Sequence, residues 1–213
     1  MARNLDPKCK QCRREGVKLF LKGDKCFSIA CPMLKRDYAP GVHGPASKKG
    51  RKKRISSYGI QLREKQKAKR TYRLMERQFK LYFTKASKMP GDTSENLLQI
   101  LELRLDNLVY RLGFATSRDL ARQLVTHGHI TIDGKKASIP SIQIKVGQKI
   151  SVSATANDKA YWKTQLPKLA KVEIPSWLAL DSAKHEGQLV SVPTRQDLPI
   201  SFDPTMIVEF YSR

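Results

Sequence analysis

The sequence predicts an α+β protein with an N-terminal cysteine knuckle, a basic helical region, and a compact module of two helices and a small antiparallel sheet. Three observations predict this fold. All four cysteines lie within residues 9–31, an apolar stripe at helical spacing follows between residues 72 and 83, and from residue 94 two amphipathic stretches precede short apolar runs around a turn. A chain of 213 residues is long enough for two small domains with their own cores.

Charge is the most unusual property of the composition. The formal net charge is +22, and residues 1–88 hold 26 Lys and Arg against 6 Asp and Glu, whereas residues 89–213 hold 15 against 13. A field of this sign attracts polyanions. The basic run KKGRKKR, residues 48–54, contains no apolar residue, so it lacks the apolar face with which amphipathic segments bind membranes. We therefore expect nucleic acid to be the partner.

The N-terminal sequence and the hydropathy predict a soluble, cytoplasmic protein. No apolar stretch of the kind found in a signal peptide follows Met1, and no apolar run approaches the roughly 20 residues that span a bilayer. Disulfides are rare in the cytoplasm. This expectation weakens a disulfide role for the cysteines.

The spacing of Cys9, Cys12, Cys26 and Cys31 is CxxC, thirteen residues, then CxxxxC. Two such pairs supply four thiolates to a tetrahedral ion, which is typical of structural zinc, and they leave no open position for catalysis. A thioredoxin-like site is not expected, because no βαβ pattern accompanies the CxxC. An iron–sulfur cluster on the same ligands and reduced or partly redox-active thiols remain alternatives. We expect a metal knuckle over residues 1–36.

A helical region is predicted from Ile60 onward. Its stripe contains Tyr72, Met75, Phe79 and Tyr82 or Phe83. The preceding turns, QLREKQKAKR, are too basic to be buried and should face a polyanion. We expect residues 37–93 to form a basic linker and helical domain, with residues 180–213 packed against it. The terminal IVEFYSR should be a strand or a short docking segment.

Residues 94–179 are predicted to form a second domain. One ridge with helical spacing contains Leu97, Leu101, Leu105, Leu108 and Leu112. Gly113 can end this helix in the left-handed conformation, and Ser117 should cap a second helix that stops at Gly128.

Short strands should follow the two helices. Asp133-Gly134 predicts a type I′ turn between two of them, and IQIKVGQKISV, residues 142–152, predicts a further strand pair around Gly147. Trp162 and Trp177 are expected in core or interdomain packing.

Residues 104–136, RLDNLVYRLGFATSRDLARQLVTHGHITIDGKK, closely resemble the αL RNA-binding module, whose core would span residues 103–163. That module also occurs in pseudouridine synthases and tyrosyl-tRNA synthetases. PGVHG (40–44), YGIQLREKQKAKRTYRLMERQF (58–79), IVEFYSR (207–213) and the cysteine pattern resemble the universal family of small ribosomal subunit protein four, in its metal-bearing branch. The sequence departs from the usual pattern in KKGRKKR and at Gln148, where the module often has an acid.

The resemblance implies a primary rRNA-binding protein of the bacterial small subunit, monomeric within the ribosome, that nucleates assembly of the 5′ domain. It also implies a position along the channel by which mRNA enters, beside ribosomal proteins three and five. Its contact with protein five would influence translational accuracy.

The residues expected to bind RNA come from the basic region and from the αL module. In the basic region they are Arg51, Lys52, Lys53, Arg54, Lys65, Lys67, Lys69, Arg70 and Tyr72. In the module they are Arg104, Arg111, Arg118, Arg122, His127, His129 and Lys135. Side chains cannot read the deep major groove of A-form RNA, so these residues would contact phosphates and 2′-hydroxyls at junctions. The lone His43 is expected at the surface or against RNA.

Two other classes of protein are alternatives. An enzyme with an accessory αL module is disfavoured, because little chain remains for a catalytic domain and no Gly-rich nucleotide loop or acid–base pair is evident. A zinc-dependent DNA-binding regulator would share the basic charge and the cysteines.

Overall fold

The computed structural model describes residues 4–42, 44 and 55–213. The chain forms two compact units, Met1–Leu97 with Ile200–Arg213 and Leu98–Pro199. Of the segment 180–213, only residues 200–213 belong to the first unit, and residues 180–199 belong to the second. Among the described residues, no helix has both the length and the apolar character needed to cross a membrane.

Most of the helices precede the first strand in the chain. The helices are α1 (Lys8–Glu15), α2 (Pro32–Lys35), α3 (Ser57–Thr71), α4 (Glu76–Ala86), α5 (Thr93–Glu102), α6 (Leu105–Arg111), α7 (Arg118–Thr126), α8 (Ala154–Asn157), α9 (Ala160–Gln165) and α10 (Pro204–Tyr211). The strands are β1 (Ile130–Ile132), β2 (Lys135–Ala137), β3 (Lys149–Val152), β4 (Leu178–Asp181) and β5 (Glu186–Leu189). Short 3₁₀ turns cover Gly23–Cys26, Leu166–Lys171 and Arg195–Asp197.

The N-terminal knuckle has a very small core. Cys12, Leu19 and Leu21 are buried, and Val17 and Met33 pack against them. Helix α1 ends at Gly16, which has a φ of +72° and therefore takes the left-handed conformation that favours glycine. So few buried apolar side chains contribute little free energy of folding on their own.

The predicted continuous helix from Ile60 is instead two helices, α3 and α4. Arg73 has a φ of +57°, and this left-handed residue interrupts the helical path between them. As a result Met75 is 41% exposed, although Tyr72, Phe79 and Tyr82 are buried. The predicted stripe is therefore correct for three side chains and wrong for Met75.

The C-terminal segment is helix α10, which packs along α3 and does not form a strand. Asp203 caps it by accepting the amide N–H of Thr205. The Gln61 Nε2 donates to Glu209 Oε2 over 2.7 Å, and the Tyr58 and Phe210 rings lie 5.5 Å apart. The last helix thus completes the first unit.

Lys65 is buried, contrary to the expectation that this basic stretch cannot be. Its Nζ lies 2.6 Å from Glu76 Oε1 and 4.6 Å from the centroid of the Phe210 ring. Glu76 also accepts a hydrogen bond from the Tyr211 hydroxyl. A carboxylate and an aromatic face therefore compensate the buried ammonium.

The leucine ridge is also divided, into α5 and α6. All five predicted leucines are buried, but the backbone between the helices pairs elsewhere. The amide of Leu105 donates to the Ile142 carbonyl, and the amide of Ile144 donates to the Leu103 carbonyl, each over 2.9 Å. These bonds use backbone groups that a continuous helix would need.

The ends of the next helices agree with the prediction. Gly113 has a φ of +79° and Gly128 a φ of +70°. The Ser117 hydroxyl accepts the amide N–H of Leu120 at the start of α7. These caps fix where α6 and α7 end and where α7 begins.

Five described strands form one antiparallel sheet in the order β2-β1-β3-β5-β4. Asp133 and Gly134 both have positive φ, 48° and 77°, which confirms the predicted type I′ turn between β1 and β2. The predicted strand pair around Gly147 is wrong, because β3 pairs with β1 and β5. Trp162 and Trp177 are 0% and 1% exposed and belong to the core of the second unit.

Glu76 should make the docking of α10 sensitive to acid. Burial alone would raise the pKa of Glu76, but hydrogen bonds from Lys65, Lys69 and Tyr211 outweigh it and lower the pKa from 4.5 to about 2. The stabilisation is therefore complete above pH 4.5 and is lost as the pH falls towards 2. The Glu76 side chain is 45% exposed, so solvent screening limits its contribution to about 1 kcal/mol.

We predict that Glu76→Gln speeds amide exchange across residues 204–211 about fivefold at neutral pH, and that the difference from wild type disappears near pH 2. The exposed Glu95→Gln is the matched control and should leave exchange unchanged. Equal protection in wild type and Glu76→Gln at neutral pH would contradict this role.

Candidate nucleic-acid interface and cysteine site

Most cations predicted to bind RNA in the helical region form ion pairs within the first unit. Lys67 Nζ lies 2.6 Å from Glu64 Oε1, and Lys69 Nζ lies 2.8 Å from Glu76 Oε2. Tyr72 is only 4% exposed. The buried Lys65 and Tyr72 therefore cannot contact RNA in this structure, and the predicted role of both is corrected to a structural one.

Glu15 connects α1 to α3. Its side chain is fully buried, and its Oε1 accepts hydrogen bonds from Arg63, over 3.3 Å, and from Arg70. Burial raises the pKa of Glu15, and the two guanidinium groups oppose that rise. Arg70 is thus an anchor for the knuckle, with 23% of its side chain exposed.

Asp106 is the centre of a buried ion cluster in the second unit. Arg104 donates to it from Nε over 3.0 Å and from Nη2 over 2.6 Å, and Arg122 Nη1 donates over 3.2 Å. Arg104 is 0% exposed and Arg122 only 8%. The expectation that these two arginines face RNA is corrected, because both are directed inward to one carboxylate that joins α6 and α7.

Arg111 and Arg118 are connected through a second buried network. Glu102 accepts Arg111 Nε and Nη2 over 3.0 and 2.7 Å, and it also accepts Asn107 Nδ2 over 2.6 Å. The Asn107 Oδ1 accepts Arg118 Nε over 2.8 Å. Arg118 also lies over the Tyr110 ring, 4.5 Å from its centroid. Both guanidinium groups are therefore held in defined orientations at the edge of α6 and α7.

His129 is held by two neighbours in the same unit. Its Nδ1 accepts Trp162 Nε1–H over 2.9 Å, and its Nε2 lies 3.1 Å from Lys159 Nζ. Burial lowers the pKa of His129, and the nearby cations of Lys159 and Lys136 lower it further. His129 is therefore neutral at physiological pH. The exposed His127 lies beside it, with ring centroids 6.3 Å apart.

Lys135 is exposed on β2, as a residue of an RNA-binding surface must be, and so is its neighbour Lys136. Lys136 was not predicted, although it lies next in the same hairpin. Its side chain packs over Gly128, where the Cβ of any larger residue would lie 2.0 Å from Lys136 Cε. Glycine at this position therefore lets Lys136 approach His129.

The four cysteines line one small cavity of about 20 Å³. Cys12, Cys26 and Cys31 are buried, Cys9 is partly buried, and all four are free thiols. Burial raises the pKa of Cys12, opposed by a backbone hydrogen bond and reinforced by the other three thiols. The structure brings the predicted ligands together around one space, but within residues 4–42, 44 and 55–213 no group of three or more His, Cys, Asp or Glu side chains has metal-binding geometry.

Five residues that are expected from the sequence to lie at the surface or to bind RNA fall outside the described ranges. They are His43, Arg51, Lys52, Lys53 and Arg54.

Known proteins resemble the chain over its whole length. Residues 3–102 match the ribosomal protein S4/S9 N-terminal domain, and residues 103–150 match the S4 domain. Small ribosomal subunit protein uS4A of Alkaliphilus metalliredigens is 50% identical over 213 residues, and uS4 proteins of Heliobacterium modesticaldum and Thermoanaerobacter pseudethanolicus are 49% identical. In each case the alignment covers 100% of both chains.

Because Arg122 is buried, its removal should destabilise the second unit. We expect Arg122→Ala to destabilise the second unit by about 2 kcal/mol, because it removes a charge-assisted hydrogen bond while Arg104 still compensates Asp106. Both tryptophans lie in this unit, so denaturant unfolding followed by tryptophan fluorescence measures it specifically. Gln123→Ala, at an exposed position of the same helix, is the control and should cost less than about 0.5 kcal/mol. Equal losses for the two variants would be inconsistent with a buried, charge-pairing role for Arg122.

Proposed function

The chain belongs to the ribosomal protein uS4 family, and we propose that the cations its second unit presents at α6, α7 and the β1–β2 hairpin carry its contact with 16S rRNA. As a member of that family it is a structural component of the small ribosomal subunit, in the cytoplasm, and not an enzyme. The observation that supports this proposal is the hydrogen-bond network of Glu102 and Asn107, which orients Arg111 and Arg118.

Orientation matters because RNA binding is largely a contact between cations and phosphates. A guanidinium has a planar fork of donors that matches two phosphate oxygens. Holding the guanidinium plane in one orientation before binding reduces the side-chain entropy lost on association. The buried carboxylate of Glu102 and the amide of Asn107 therefore serve binding without touching RNA.

The proposed RNA-binding residues are fewer than the sequence alone indicates. In the second unit they are Arg118, His127, His129, Lys135 and Lys136, while Arg111, with 12% of its side chain exposed, keeps a secondary role. His129 contributes as a neutral ring. In the first unit Lys67, Lys69 and Arg70 keep a secondary role because their side chains are only partly exposed. Arg51, Lys52, Lys53 and Arg54 remain proposed on charge alone.

The same family membership supports a more detailed proposal. The protein would nucleate assembly of the 5′ domain and lie beside ribosomal proteins three and five where mRNA enters the subunit. Its contact with protein five would affect translational accuracy. Full-length identity near 50% to uS4 proteins supports this role.

We further propose that Cys9, Cys12, Cys26 and Cys31 hold a structural zinc ion, with an iron–sulfur cluster on the same thiols as the alternative. The shared cavity supports this. The core of Cys12, Leu19 and Leu21 is too small to stabilise the knuckle alone. A bound ion would cross-link α1, the turn at Gly23–Cys26 and the start of α2.

Chelation of zinc should unfold the knuckle alone. Metal binding contributes roughly 10–16 kcal/mol in isolated finger peptides, so amide protection across residues 8–35 should be lost while residues 57–86 keep theirs. Elemental analysis before and after chelation identifies zinc or iron. Unchanged protection across residues 8–35 on loss of the metal would contradict a structural site.

Removal of cations from the proposed interface should change the salt dependence of 16S rRNA binding. Each phosphate contact contributes roughly 0.7–0.9 to the slope of log affinity against log salt, so Arg118→Ala combined with Lys135→Ala should reduce the slope by about 1.5. Lys184→Ala, a cation with 75% of its side chain exposed, is the matched control and should leave it unchanged.

Duplex DNA of equal length serves as a competitor in the same titration. Weak competition is expected for an rRNA-binding protein, whereas equal competition would favour the DNA-binding alternative. A slope that the double variant leaves unchanged would show that these two residues do not bind phosphates.

A further inference from the structure

The N-terminal knuckle exposes a stacked pair of aromatic rings. The ring centroids of Phe20 and Phe27 lie 5.0 Å apart, with 29° between the ring planes. Phe20 is 37% exposed and Phe27 is 74% exposed. Exposure of two large apolar rings has a free-energy cost in water. The stability of the knuckle therefore does not explain why both rings lie at the surface.

The local backbone holds both rings at the surface. Leu19 and Leu21, on either side of Phe20, are 2% and 3% exposed, and Phe20 itself has a φ of +50°. The buried leucines thus fix the segment while the intervening ring is directed outward. Phe27 directly follows the turn Gly23–Cys26, and its amide donates to the Asp24 carbonyl over 3.1 Å.

The surroundings of the rings are basic. Lys18, Lys22 and Lys25 line the same cavity as Phe20, and Lys22 and Lys25 are exposed. Residues 4–42 contain nine Lys and Arg against four Asp and Glu, and one of those acids, Glu15, is buried. An apolar partner surface on a protein would have to compensate this charge, whereas a polyanion is attracted by it.

A second basic surface adjoins the cavity. A groove of about 370 Å³ is lined by Cys9, Lys10, Arg13, Ala30, Cys31, Pro32, Lys35 and Arg36. It shares Cys9, Cys31 and Pro32 with the cysteine cavity. The described residues that line it include four cations and no acid, so a phosphodiester backbone could follow it beside the cysteine cavity, which Phe20 also lines.

We propose that Phe20 and Phe27 form a stacking platform for an unpaired nucleobase of single-stranded RNA, with Lys22 and Lys25 contacting the flanking phosphates. Every base has a π-face, so such a platform is tolerant of sequence. This inference rests on the proposed rRNA binding and extends it by assigning the knuckle a base-binding site, whereas the αL module contacts phosphates.

Three variants of the full-length protein in zinc-containing, reducing buffer isolate the aromatic contribution. Phe27→Ala removes the more exposed ring, Phe27→Tyr keeps a stacking surface, and Ile29→Ala removes a neighbouring aliphatic side chain that is 84% exposed. The probes are ten-nucleotide oligouridine, a ten-base-pair RNA duplex and intact 16S rRNA. Binding is measured by fluorescence anisotropy at a salt concentration that weakens phosphate contacts at other sites.

We expect Phe27→Ala to weaken oligouridine binding about 5- to 30-fold, the range for loss of one stacked base. Phe27→Tyr and Ile29→Ala should remain within about twofold of wild type. Phe27→Trp supplies a local signal once the emission of the buried Trp162 and Trp177, measured in wild type, is subtracted, because its exposed indole should be quenched by oligouridine and not by the duplex.

The outcomes separate this inference from the function on which it rests. Failure of wild type to bind 16S rRNA would overturn the proposed function. Binding of 16S rRNA and oligouridine by Phe27→Ala at wild-type affinity, with an unquenched indole in Phe27→Trp, would overturn the stacking platform alone. The latter result is also the one expected if the ring pair docks a protein.

Discussion

Pairing of a few buried or half-buried carboxylates with arginine and lysine is the interaction on which both units depend. The chain has 41 Lys and Arg but only 19 Asp and Glu, so repulsion between cations opposes folding. Glu15 and Glu76 hold the first unit together, and Glu102 and Asp106 hold the second. A carboxylate buried without a partner would be costly. The cations that pair with these acids therefore lie in the interior or against it, and the remaining cations lie at the surface.

This selection divides the cations into two functional groups. Those in the first group, such as Arg104 and Arg122, neutralise buried acids and fix the packing of helices. Those in the second, such as Lys135 and Lys136, project from a short hairpin that a type I′ turn makes rigid. Arg111 and Arg118 stand between the groups, because a buried network orients them near the surface. Preorganisation of this kind is what an RNA-binding surface needs, since long flexible side chains otherwise lose entropy on binding.

The stability of the knuckle also depends on a few specific contacts. It has too few apolar side chains for a core, so its stability depends on attachment: Glu15 with Arg63 and Arg70, and the proposed metal at the four cysteines. With the backbone fixed in this way, the small domain can expose aromatic rings that a larger protein would bury. The same small domain that is weak as an independent fold keeps two aromatic rings at its surface.

Much of this organisation could be predicted because it depends on residues close in sequence. The caps at Ser117 and Gly113, the Asp133-Gly134 turn and the clustering of four cysteines each follow from neighbours within a few positions or from ligand spacing. The sequence by itself thus determined the start and end of α7, the glycine that follows α6, the first hairpin, the basic character and the family resemblance, whereas it predicted α5 and α6 as one continuous helix. Only the tertiary structure decided which cations are buried and which strands pair. Arg70 and Glu15 lie 55 positions apart, and β3 pairs with β5 across a long intervening segment. Such partners have no local signature, because a lysine or arginine has the same side chain and the same helix propensity whether its carboxylate partner is distant or absent.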